Sequence, residues 1–168
     1  MPKTNRRSLA YWLFSLVCAI MAGHALYHYS LLPDRVATHF GVSGTPDAWG
    51  AKPAFFLWYF ITTIILAAVL LWTPRFLSKI PTSLINLPNK DYWLAPERKN
   101  ETLAYIGRGS LLFGSGTLLF LLDIIHQSFQ VSLGQAAGLS HIWTSMAIYL
   151  IFCALWTTAL FRRFGRKN

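Results

Sequence analysis

The chain has 168 residues, 54% of them hydrophobic and 12% charged, with a mean hydropathy of +0.41. A water-soluble domain carries roughly twice that share of charge, and the apolar residues here fall in long blocks, which points to the bilayer. The net charge of +9 comes from basic residues flanking those blocks, so the expected partner is lipid and no nucleic-acid site is expected.

Four blocks reach the roughly 20 apolar residues that a helix needs to span a membrane. They run approximately over 9–29, 53–72, 105–129 and 141–161. The expected fold is therefore an all-α integral membrane protein, a four-transmembrane-helix bundle forming one membrane domain over residues 1–168. The first block follows basic residues and contains Gly23-His24-Ala25, as a cleaved leader would. It is long for a leader, so it is read as a retained span. Cys18 and Cys153 lie inside apolar blocks and read as small core residues rather than a disulfide or metal pair.

Between the first two spans lies a loop over residues 31–52. Pro33 stops the first helix. Val36 to Phe40 is rich in β-branched and aromatic residues and suits an extended strand. Gly41, Gly44 and Pro46-Asp47 carry turn chemistry, and Trp49 suits the membrane interface. A second loop covers residues 73–104. Pro96 fits the first turn of a helix and Glu97 favours its positive end, so a helix is expected to start there and run into the third span. The segment Asn89, Asp91, Tyr92, Trp93, Pro96, Glu97 and Arg98 is read chiefly as a scaffold connection, with docking of a cytoplasmic partner as the alternative. In the third span Gly107, Ser110, Gly114 and Thr117 recur at helical spacing and predict one close-packed face.

Lysine and arginine set an orientation. Lys3, Arg6 and Arg7 precede the first span. Arg75, Lys79, Lys90, Arg98 and Lys99 lie between the second and third, with Arg108 at the start of the third, and Arg162, Arg163, Arg166 and Lys167 follow the fourth. The opposite side holds only Arg35 and Lys52. The positive-inside rule then puts both termini and the 73–104 loop in the cytoplasm and the 31–52 loop outside.

The first loop also carries a family resemblance. Leu32-Pro33, His39-Phe40, Gly44, Pro46-Asp47, Trp49 and Lys52 resemble the uncharacterised domain found at the N-terminus of the SdpI toxin-immunity proteins of bacteria. That domain also occurs in small stand-alone membrane proteins, which a chain of this length resembles more closely. The resemblance implies a bacterial cytoplasmic membrane and an external loop that recognises a peptide, toxin or envelope partner. It implies no enzymatic activity.

All five histidines fall toward the outer half. His24 and His28 are four apart on the first span, His126 follows Asp123 by three on the third, His141 opens the fourth and His39 lies in the loop. A carboxylate within a span needs a polar partner, and Asp123 is expected to face the first helix or the external loop. Imidazole with carboxylate suits a metal, and His24, His28, Asp123, His126 and His141 form the candidate metal or haem set. A structural polar network is the alternative. No Gly-rich phosphate loop, Gly-x-Ser-x-Gly or His-Glu-x-x-His motif occurs, so a catalytic site is not expected. Three functions stay open: recognition through the external loop, metal or haem binding, and an accessory role in an oligomer or larger membrane complex.

Overall fold

The structure, a computed structural model, describes residues 4–166, with side chains from residue 9 onward. Lys3 and Lys167 lie outside the described residues, as do the side chains of Arg6 and Arg7. Helix α1 (Thr4–Leu31) leads into a hairpin of β1 (Arg35–Phe40) and β2 (Pro46–Ala51). Helix α2 (Lys52–Lys79) follows, then a 3-10 turn (Thr82–Leu84), short α3 (Lys90–Trp93), α4 (Pro96–Ser132) and α5 (Ile142–Phe164). The four long helices are each long and apolar enough to cross a membrane. The chain is an all-α, multi-pass membrane protein.

In α1 the buried residues are Ala10, Phe14, Val17, Met21, Ala25 and His28. Their spacing of three and four lays one stripe along the helix. That stripe packs with Leu111, Leu118 and Phe129 of α4. The other faces present Trp12, Leu16 and Leu26 outward, as lipid contact requires. Helix α2 buries only Phe56 and Tyr59, and the Tyr59 hydroxyl donates to the Met21 carbonyl of α1 at 3.0 Å.

Helix α4 is the hub: α1, α2, α5 and β1 all pack on it. At 37 residues it is about 55 Å long, well beyond the roughly 30 Å hydrocarbon layer. As expected, it starts at Pro96 with Glu97 in its first turn. The small-residue stripe divides differently from the sequence reading. Gly107 and Gly114 meet Pro74 and Leu70 of α2, whereas Gly109 and Gly116 meet Trp156 and Phe152 of α5. Thr117 turns to α5, with its hydroxyl 3.0 Å from that of Tyr149. Helix α5 packs on α4 and leaves Trp143, Ile148, Ile151 and Leu155 outward.

The spans are also longer than their apolar blocks. Helix α2 continues through Pro74 to Lys79, because proline is tolerated within a membrane helix when neighbours support the backbone. The 73–104 segment, read from sequence as a loop with a helix starting at Pro96, is held against the end of α5. Trp93 Nε1 and Asn89 Nδ2 both donate to the Phe164 carbonyl, at 2.9 and 3.0 Å. They thereby satisfy the C-terminal end of α5, whose last carbonyls have no helical partner.

Candidate functional site

The hairpin end of the molecule carries the candidate chemistry. Strand β1 pairs antiparallel with β2, but Ala37 faces Trp49 and His39 faces Ala48, so Thr38 is an extra residue. Val36 and Ala37, consecutive in β1 and so on opposite faces, are both buried, because β1 packs on both α4 and α2. The freed backbone of Ala37 is taken up by α4. Its N–H donates to Ser132 Oγ, and Ser128 Oγ donates to its carbonyl, both at 3.0 Å. Serines four apart on one helix face thus clamp the hairpin.

Most residues of the loop motif build this hairpin. Leu32 is buried in the core. Pro33 follows the end of α1, where Leu32 N–H still bonds the His28 carbonyl at 3.0 Å. Lys52 Nζ donates to the Leu32 carbonyl at 2.8 Å and lies over the Tyr29 ring. Phe40 pairs with Pro46. Contrary to the sequence reading, Pro46-Asp47 begins β2; the turn is made by residues 41–45, with Gly44 at φ +79°. The Gly44 carbonyl accepts from Leu139 N–H at 2.8 Å, joining the hairpin to the α4–α5 connection. His39 Nδ1 and the Asp47 carboxylate are hydrogen-bonded on the exposed face, and the Trp49 carbonyl accepts from Arg35.

Beneath the hairpin, His24 and His28 of α1 meet His126 of α4. One ring nitrogen from each lies within 4.8 Å of the others. His24 stacks on buried Phe129 with ring centroids 5.5 Å apart, and His28 leans on the same ring. His28 Nδ1 must carry a proton, because its partner at 2.8 Å is the His24 carbonyl, which can only accept. In the neutral ring, this leaves the lone pair on His28 Nε2. His24 Nε2 lies 3.1 Å from His126 Nδ1, and Gln130 Nε2 lies 3.3 Å from His126 Nε2. The far side of His24 ends on a buried Nδ1 with no hydrogen-bond partner. A buried polar atom left unpaired costs about 1–3 kcal/mol.

Asp123 is not part of this cluster, which corrects the expectation that it faces α1 or the external loop. Its Oδ2 accepts from Ser145 Oγ of α5 and from Gln127 Nε2, the latter at 2.8 Å. Gln127 Oε1 in turn accepts from the His141 backbone N–H at 2.9 Å. The carboxylate therefore sits at the first turn of α5, where the helix dipole favours negative charge. His141 precedes α5 as its N-cap residue and does not join the three imidazoles. Gln130, Ser128 and Ser132 were absent from the sequence reading. The four-residue spacing of Gln130 from His126 was the available signal.

A domain of unknown function (DUF1648) matches residues 16–63, from mid-α1 through the hairpin into α2. No curated protein and no solved structure matches the chain.

Proposed function

We propose that this integral membrane protein binds one transition-metal ion, zinc or copper, through His24, His28 and His126. The convergence of three imidazoles from two helices within 4.8 Å carries the reading. Two nitrogens bound to one tetrahedral zinc at 2.0–2.1 Å lie about 3.3 Å apart. The 3.1 Å between His24 and His126 is already close to that separation. The His24 carbonyl fixes the ring of His28 from behind, as outer-shell partners of metal-binding histidines do. His126 needs the other tautomer to offer Nδ1, and rotation of the Gln130 amide would then accept its Nε2–H. Three protein ligands leave a fourth position open for an exchangeable group. Haem fits poorly, because His24 and His126 touch directly where a macrocycle would have to lie between axial ligands.

In this reading the centre faces the outer side of the membrane and both termini lie inside, which the basic-residue bias supports; the sequence resemblance supports a bacterial cytoplasmic membrane. A second reading, recognition of a peptide or toxin as in the SdpI-like proteins, draws on the rigidly clamped hairpin, whose tip exposes Val42.

Metal titration of the purified, chelator-stripped protein tests the proposal. About one zinc or copper ion per chain is expected, lost in His28→Ala and His126→Ala and retained in His141→Ala. Binding should weaken as the solution is acidified, because protons compete with the ion for the imidazole lone pairs. Equal metal uptake by the wild type and a variant lacking all three histidines would sink the proposal.

A further inference from the structure

We propose that the opposite, basic end holds an anionic phospholipid in a groove between α1, α4 and α5. This inference is independent of the metal centre. Helix α5 leans on α4 without packing along α1, which opens a cleft of about 390 Å³ lined by Leu9, Ala10, Gly109, Leu112 and Trp156. Gly109 keeps the floor low, since even a Cβ there would come within 3.2 Å of Trp156. The cleft is apolar, as an acyl chain requires, and Tyr105 and Arg108 line it too.

The same two residues line an adjoining cavity of about 70 Å³, together with Arg98, Arg163, Glu101 and Thr102. Three guanidiniums and one carboxylate thus meet at the mouth of an apolar cleft. None of the three arginines has a carboxylate partner within 4 Å among the described residues, where the one such contact is His39 to Asp47 at the far end. Two are held in place by aromatic rings: Arg98 lies 3.9 Å over Tyr92, and Arg163 lies 4.4 Å over Trp93. The depth also fits. Arg108 lines the cleft with Leu9, where the apolar block of α1 begins in the sequence after Arg6, Arg7 and Ser8, so it sits where hydrocarbon gives way to headgroups. Basic pockets between membrane helices at this level bind phosphate-bearing headgroups, and guanidinium forks match phosphate oxygens. The occupant assigned by charge and shape is a lipid with one acyl chain in the cleft and its phosphodiester on Arg108 and Arg163.

Native mass spectrometry of the full chain, released from detergent doped with phosphatidylglycerol or phosphatidylcholine, tests this. The wild type should retain one phosphatidylglycerol in preference to phosphatidylcholine. The double variant Arg108→Gln/Arg163→Gln should lose about tenfold in retention. Arg75→Gln/Lys79→Gln, which removes charge from α2 at the same end, should retain the lipid. Arg108→Lys keeps the charge but loses the fork, so its retention should fall between that of the wild type and that of the double variant, separating loss of charge from loss of fold. Equal retention of both lipids, or equal loss in the α2 variant, would show only diffuse attraction and overturn the site. Displacement by millimolar inorganic phosphate would make it a site for the free ion instead and overturn the lipid assignment.

Discussion

At the scale of single residues, one tight constraint lies where α4 crosses α2. A Cβ on Gly107 would come within 2.6 Å of Pro74 Cγ and 2.9 Å of its Cβ. The proline ring cannot rotate aside, unlike the Leu70 side chain opposite Gly114. Gly107→Ala should therefore force the helices apart and destabilise the protein by about 1–3 kcal/mol. Gly23→Ala is the matched control, because nothing lies within 4 Å of a Cβ there. Thermal unfolding in detergent should show a lower midpoint for the first and no loss for the second. A Gly107→Ala protein as stable as the wild type would mean that the α2–α4 crossing is looser than described. Asp123 shows the limits of residue-level reading in the other direction. Its need for a partner was evident from its place in an apolar block, yet the partner proved to be Ser145 and Gln127 rather than a histidine.

At the scale of elements, the hairpin depends on two hydroxyls. Ser128 and Ser132 are both buried and take up both polar groups of Ala37 at the bulge. Replacing both with alanine leaves an N–H and a carbonyl unpaired, at about 1–3 kcal/mol each. The expected outcome is a hairpin that opens locally while the helices stay assembled. Hydrogen exchange should then quicken across residues 35–51 and remain unchanged in the core of α4. Uniform acceleration throughout would show that the hairpin and bundle open as one unit. In the other connection Asn89 and Trp93 hydrogen-bond the end of α5, and Arg98 packs on Tyr92. Asp91, Pro96 and Glu97 remain on the exposed side.

At the scale of the whole molecule, α4 organises the bundle and sorts its chemistry to two ends. Histidines and hairpin lie at one end, and the arginines with the α3 segment lie at the other. The distribution of basic residues predicts that the arginine end is cytoplasmic. A reporter active only in the cytoplasm should work when fused after Asn168, and one active only after export should work at Ser43. Strong export-dependent activity at Asn168 would reverse the orientation and place the three histidines inside the cell.

The number of spans, the helix start at Pro96 and the extended character of Val36–Phe40 were legible in the sequence, because hydrophobic length, proline and β-branched residues act locally. So was a polar concentration at one end, since a run of apolar residues makes each histidine and Asp123 conspicuous. Which of these groups meet was decided only by tertiary structure. His126 and Asp123 are three residues apart on α4, nearly one turn, yet one turns to α1 and the other to α5. Spacing along a helix fixes relative direction around its axis, but only the placement of neighbouring helices assigns each direction a partner. The same reason explains the glycines of α4: their spacing announced close approach, and the packing of α2 and α5 on different sides determined which neighbour each admits.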